Sequence, residues 1–285
     1  MTLDPAVLRS HVETLAAAPR PPGSEALDRA RQFVEHSLEQ IGWHVRHQLF
    51  RTQGLSGTNL LARPTEAPIS GRHLIVGAHL DSRPETPGAD DNASAVAALL
   101  ELARHVRNDA ADAPVGLELI IFDLEESGML GSAHVAGRCM ELGADLAGMI
   151  SLEMLGYADA TPGSQQMPEA LRALYPDTGD FIGVVGNARS TNFCEQITAS
   201  MRRTPGLKVE SLTVPGNGEA IPPTRLSDHS PFWDRGFPAL MITDTSFFRN
   251  PHYHTPADTH DTLDFDFLAL VTEGVITAVR DAIQS

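Results

Sequence analysis

Cysteine is nearly absent from this chain, with two residues in 285, Cys139 and Cys194. They lie far apart and outside any Cys-x-x-Cys pattern, so a disulfide is the lesser reading. Their expected role is that of small buried hydrophobes. Basic residues are also scarce: 21 Lys and Arg face 37 Asp and Glu, for a formal net charge of −16. Phosphate recognition needs clustered Lys and Arg, so neither a nucleic-acid partner nor an anionic membrane surface is expected. The charge serves solubility, and an acidic protein also suits divalent metals and cationic groups. No apolar stretch reaches the length that spans a bilayer. Residues 1–20 show no basic region followed by a long apolar stretch, so no signal peptide is visible and the cytoplasm is the expected location. Internal repeats and low-complexity tracts are absent too.

What is there reads as a single globular α/β domain over 1–285, with 42% hydrophobic and 20% charged residues. A helix is predicted over 3–18, then a break at Arg20-Pro-Pro-Gly, then a helix capped by Ser24 and running to about Ile41. Residues 43–50 alternate like an exposed strand, and 58–63 can pair with them. From there apolar strands and helices alternate: strand 73–78, helix 92–107, strand 116–123, helix 131–140, strand 147–152. Further on come strand 181–185, helix 190–203, strand 207–213, helix 228–235, strand 238–243 and a closing helix over 264–283. Near-continuous apolar strands separated by helices imply a mostly parallel, mixed sheet covered on both faces, a three-layer α/β/α arrangement. Two long polar segments, 158–180 and 215–226, interrupt the pattern. Segments of this kind either decorate a surface or line a site.

The chemistry gathers at strand ends. The first apolar strand delivers His79, with Asp81 two residues on, and Asp91 opens the following helix. The strand over 116–123 runs into Glu125-Glu126, and the strand over 147–152 ends at Glu153. The last strand leads to a segment holding His252, Tyr253, His254 and, beyond it, His260. In open α/β sheets, ligands bind beyond the carboxyl ends of the strands. Each residue alone has an ordinary explanation: a turn histidine, a helix cap, a solvated turn. Together they form an imidazole–carboxylate set suited to a divalent metal such as zinc. Glu153 follows an apolar run, where an unpaired carboxylate is costly and a cation fits. Adjacent residues in an extended segment point to opposite sides. One of Glu125 and Glu126 can therefore bind metal while its neighbour serves as general base. Spacing does not choose between His252, His254 and His260.

The pieces Ala78-His-Leu-Asp, Gly88-Ala-Asp-Asp-Asn-Ala-Ser, Asp123-Leu-Glu-Glu-Ser-Gly with Gly131-Ser, Leu152-Glu-Met-Leu-Gly, Ser227-Asp-His-Ser-Pro-Phe and Tyr253-His-Thr, taken as a set, resemble the co-catalytic zinc aminopeptidases of metallopeptidase family twenty-eight. They stand in that family's order over roughly residues 25–283. The resemblance implies two zinc ions per chain and a peptide substrate with a free N-terminus. Asp91 would bridge the ions, with His79 and Glu153 completing one site and Glu126 and His254 the other. Glu125 would be the general base. Asp81 would hold the ring of His79, and Tyr253, the aromatic residue that selects His254, would donate to the oxyanion. A cis bond is expected at Asp91–Asn92. Glu153 stands where many members carry Asp, Ala95 where Gly is common, and Leu226 where some aminopeptidases place an arginine, with Arg225 beside it.

The expected activity is removal of N-terminal amino acids, with Phe247 and Phe248 as candidate walls of an apolar pocket. Other readings on the same scaffold are a single-zinc glutaminyl cyclase and a carboxypeptidase or amide hydrolase using Arg225 or Arg249. A non-catalytic binding domain is the reading from another class.

Overall fold

The computed structural model describes residues 2–66, 71–169 and 171–285; Met1, residues 67–70 and Ala170 lie outside the described residues. The described residues form eight strands: β1 (His44–Thr52), β2 (Leu55–Arg63), β3 (His73–His79), β4 (Gly116–Phe122), β5 (Leu146–Glu153), β6 (Ile182–Asn187), β7 (Val209–Val214) and β8 (Ala239–Thr243). Its helices are α1 (Pro5–Leu15), α2 (Glu25–Gln40), α3 (Ala95–Ala111), α4 (Leu130–Glu141), α5 (Thr191–Met201), α6 (Ser230–Asp234) and α7 (Phe265–Ile283). The strands make one sheet in the order β1-β2-β4-β3-β5-β8-β6-β7.

Local chemistry explains the element ends. Ser24 Oγ accepts the N–H of Leu27 at 3.1 Å and so caps α2. Helix α1 is shorter than the predicted 3–18. Asp4 caps it with Pro5 at the first position, and Pro19 disfavours helical backbone at the residue before it. Strands β1 and β2 meet in a two-residue hairpin whose turn residues, Gln53 and Gly54, both have positive φ, matching the twist of the paired strands.

The central strands β4, β3, β5 and β8 are parallel neighbours, so their carboxyl ends share one edge. The mixed character has a source beyond the predicted early hairpin, because β6 runs antiparallel to β8. Leu74, Val76 and Ala78 of β3 enter the core beneath α1, α2, α3, α5 and α7. Ile75 points the other way, into the core with Val135 of α4 and Phe232 and Trp233 of α6. That alternation is the strand period of two, and it makes the three layers. Among the described residues no helix is long and apolar enough to cross a membrane. Both cysteines are free thiols, with Cys194 buried.

Candidate active site

The strand ends bring every candidate ligand to one place. His79 closes β3 and Glu153 closes β5. Glu125 and Glu126 follow β4, Asp91 lies in an irregular turn over 89–94, and His254 sits in the loop after β8. Asp91 stands between the imidazoles: its Oδ1 is 3.3 Å from His79 Nε2 and its Oδ2 is 3.1 Å from His254 Nε2. Glu153 Oε2 lies 3.6 Å from His79 Nε2, and Glu126 Oε2 lies 3.4 Å from His254 Nε2. One ligand atom from each of His79, Asp91 and Glu153 falls within 4.8 Å of the others, and the same holds for Asp91, Glu126 and His254. Glu125 Oε2 approaches His79 Nε2 at 3.9 Å. His252 and His260 belong to neither group.

The residues around the site are held by buried side chains, Asp81, Asn92 and Ser227. Asp81 faces both the His79 ring and the Glu125–Glu126 backbone. Its backbone carbonyl is 3.1 Å from His79 Nδ1, and its carboxylate stands 3.7 Å from the same atom. That carboxylate also accepts the N–H groups of Glu125 and Glu126 at 3.0 and 3.1 Å. Asn92 donates to Leu152 O at 3.0 Å and accepts from Met154 N–H at 2.9 Å, so it brackets Glu153 from both sides. The bond before it, Asp91–Asn92, is cis, as the resemblance implies. Ser227 Oγ donates to Glu153 Oε2 at 2.7 Å. Leu124, Met154 and His254 all have positive φ. Each such non-glycine residue costs roughly 1 kcal/mol, which the surrounding hydrogen bonds must offset.

Charge is concentrated here. Burial opposes protonation of His79, yet Glu125 and Glu153, with Asp81 and Asp91, outweigh it and hold the imidazole well above its ordinary value. His254 follows the same logic: burial lowers its pKa, hydrogen bonds to Asp91 and Glu126 raise it, and the balance is about 9. Burial, reinforced by Glu153, Asp228 and Asp81 and opposed by His79, lifts the Glu125 carboxyl well above the usual carboxylate range. The same burial raises Glu153, against the pull of His79. A site in which acids draw protons onto buried imidazoles is one that favours added cations.

The donor set fits zinc. His79 Nε2 and Glu126 Oε1 are buried and lack a hydrogen-bond partner among the described residues. Buried polar atoms of that kind require a partner. Imidazole nitrogen and carboxylate oxygen are the ligands zinc accepts at such sites.

Beside Glu153 and Tyr253 opens an apolar cavity walled by Leu171, Phe181, Val185, Leu212, Met241 and Phe248, with Phe247 at its rim. Both polar segments contribute: Met167 and Tyr175 from the first, Ile221, Pro223 and Leu226 from the second. Of the two arginines expected to serve a free acid, Arg225 is engaged elsewhere and Arg249 is buried, with its Nη2 lacking a hydrogen-bond partner among the described residues. Arg225 pairs with both oxygens of Asp234 at 2.9 and 2.8 Å. Arg249 is buried, its Nε donating to Gln165 Oε1 at 2.9 Å and its guanidinium 4.7 Å from the Phe181 ring centroid. Tyr253 stacks on His254 with centroids 3.7 Å apart. Burial and the nearby carboxylates raise its hydroxyl far above the ordinary value, so it stays a donor.

Sequence reasoning missed Asp258, whose oxygens accept the N–H groups of Asp90 and Asp91 at 2.8 and 3.2 Å. It missed Asp90 too, which accepts from Gly156 N–H and Asn250 Nδ2 at 2.9 and 2.7 Å. Both bind main chain or a remote amide, an arrangement with no spacing signature. The only available signal was an acid next to a metal-type acid.

The family model of peptidase family M28 matches residues 59–279. The chain belongs to peptidase family M28. By family it is a metallopeptidase. YfbL of Escherichia coli K12, an uncharacterised protein, is 40% identical over 271 residues, covering 90% of this chain and 80% of its own. Leucine aminopeptidase 1 of Arthroderma otae is 29% identical over 225 residues, covering 74% of this chain and 55% of its own. The chain thus spans about half the length of that relative. Among solved structures, the zinc aminopeptidase BSAP from Bacillus subtilis superposes with a TM-score of 0.76 at 16% identity, over 99% of this chain and 95% of that one. Glutaminyl cyclase from Porphyromonas gingivalis gives 0.72 at 21% identity, over 98% of both chains. At such identities these two likenesses speak for the fold alone.

Proposed function

We propose that this M28 chain removes N-terminal residues from peptides, with two zinc ions held by His79, Asp91 and Glu153 on one side and by Asp91, Glu126 and His254 on the other. One observation carries the reading: the two oxygens of the Asp91 carboxylate each face a different imidazole, 3.3 and 3.1 Å away. A shared carboxylate between two nitrogen donors is the arrangement a paired-ion site uses.

Bound there, the ions supply Lewis acidity toward the scissile carbonyl and lower the pKa of the attacking water. The protein's own groups do the rest. Glu125, whose burial raises its basicity, takes the proton of that water and returns it to the leaving nitrogen. Asp81 fixes Glu125 through its backbone N–H. The Tyr253 hydroxyl donates to the developing oxyanion. The substrate ammonium is drawn to the carboxylate rim at Glu153, and the first side chain enters the apolar cavity beside it. The reading takes the cytoplasm as the place of action, with nucleic acid and membrane playing no part.

Metal analysis of protein purified without chelator, followed by leucyl-anilide hydrolysis, tests this. The expected result is two zinc ions per chain and release of leucine. One zinc per chain, with cyclised product from an N-terminal glutaminyl peptide and no amino acid released, overturns it.

A further inference from the structure

A residue outside the matched family region reaches the metal centre from behind. Arg20 follows α1, and its side chain is 1% exposed. Its Nε donates to Leu80 O at 2.8 Å. Nη1 donates to Leu15 O at 2.7 Å and to Pro87 O at 2.6 Å, and Nη2 donates to Gly88 O at 2.9 Å. Leu80 lies between His79 and Asp81. Pro87 and Gly88 lead into the turn that carries Asp91. One guanidinium therefore ties α1, the loop after β3 and the turn before α3.

The backbone of Arg20 takes part as well. Its N–H donates to Ser82 Oγ at 2.9 Å, and its carbonyl accepts from Ser82 N–H at 3.1 Å. Ser82 Oγ donates onward to Thr86 O at 2.8 Å. The packing leaves no slack: Gly88 has φ +69°, and a Cβ there would stand 2.4 Å from Asp91 O and 2.9 Å from Arg20 Nη2. Burying a guanidinium without a direct carboxylate partner is costly. Burial lowers the Arg20 pKa to about 10, and the acids that resist this are Asp258, Asp81, Asp91 and Glu126. Two of these, Asp91 and Glu126, belong to the proposed ligand set. The fork geometry matters too, since a lysine ammonium cannot span carbonyls on three segments.

We propose that Arg20 is a positioning residue of the metal centre: it sets the distance between the His79 loop and the Asp91 turn, so the N-terminal segment governs how tightly the ions are held. The proposal rests on the reading of His79 and Asp91 as ligands. If the guanidinium served only to hold the fold together, its loss would act like any other loss of stability in α1. Leu8, fully buried in α1, provides that comparison.

The test is zinc affinity, measured by competition with a chromogenic chelator, alongside thermal unfolding, for wild type, Arg20→Gln, Arg20→Lys and Leu8→Ala. Support around metal ligands is typically worth on the order of tenfold or more in affinity, and both Arg20 variants should lose at least about that. Leu8→Ala should lower the melting temperature while keeping the wild-type affinity. Should Arg20→Gln fail to fold, Arg20→Lys, which keeps the charge and the stem, carries the same comparison. Wild-type zinc affinity in a folded Arg20 variant overturns the proposal. So does a Leu8→Ala protein whose affinity falls in step with its stability as theirs does. A wild-type protein that binds no zinc instead overturns the ligand assignment beneath it.

Discussion

The Asp81 carboxylate binds the backbone N–H of Glu125 at 3.0 Å and, through its other oxygen, that of Glu126 at 3.1 Å. The general base and its ligand neighbour are thus aimed by one side chain that is itself fully buried. In Asp81→Asn, one of the two N–H groups would face an amide NH₂. Leaving such a buried donor unpaired costs about 1–3 kcal/mol. The variant should show that loss in denaturant unfolding together with a lower kcat. Unchanged stability and kcat would remove Asp81 from this role.

Glu125→Gln keeps the size of the side chain and removes its basicity. Positioned general bases contribute about 10²–10⁴-fold, so kcat on leucyl-anilide should fall within that range while zinc content stays at two. Wild-type activity in this variant contradicts the proton-transfer role.

Removing one imidazole should empty one half of the centre. His254→Ala leaves His79, Asp91 and Glu153 in place, so the expected zinc content falls from two ions to one and peptidase activity is lost. Two ions retained at wild-type affinity would mean that His254 is no ligand.

The fold and the site were not equally legible in the sequence. His79, Glu125, Glu126 and Glu153 stand at or just past the ends of apolar runs and Asp91 opens the helix after the first of them, and a parallel sheet leaves such ends on one edge, so their convergence could be read from pattern. The antiparallel entry of β6 beside β8 could not, because strand direction depends on how the chain crosses over and not on the strand's own residues. Arg20 and Asp258 were illegible for another reason. They act on carbonyls and N–H groups, which every residue possesses, so nothing in the sequence marks the partner. Asp81 was visible beside His79, but spacing could not say that its carboxylate also accepts the N–H groups of the next strand's loop.

Acid should weaken the fold through His229. Its Nε2 donates to Thr224 O at 2.8 Å, its ring lies edge-on to Trp233, and burial pushes its pKa down to about 4. The unfolded value is near 6.5. Above that, both states are neutral and the contribution is complete. As pH falls toward 4, the unfolded chain takes up a proton that the folded chain refuses, and stability drops by roughly 3 kcal/mol in all. Urea unfolding of zinc-free protein at pH 7 and pH 4.5 should show a smaller difference for His229→Phe than for wild type. An equal difference would assign the acid sensitivity to other groups.

The cavity predicts a preference. Its walls are Leu171, Phe181, Val185, Leu212, Met241 and Phe248, so bulky apolar N-terminal residues should be released faster than acidic ones. Leu212→Trp should lower kcat/KM for phenylalanyl-anilide more than for alanyl-anilide. Equal losses on both would mean that the first side chain lies elsewhere.

Part of that cavity comes from 158–180 and 215–226, through Met167, Leu171, Tyr175, Ile221, Pro223 and Leu226, and those segments hold none of the residues assigned to metal or proton transfer. Its other walls, Val185, Leu212 and Met241, stand on strands of the same sheet that carries His79 and Glu153. A new diet could therefore be acquired in part by rewriting two loops, while the sheet keeps one wall of the pocket and the chemical engine in register.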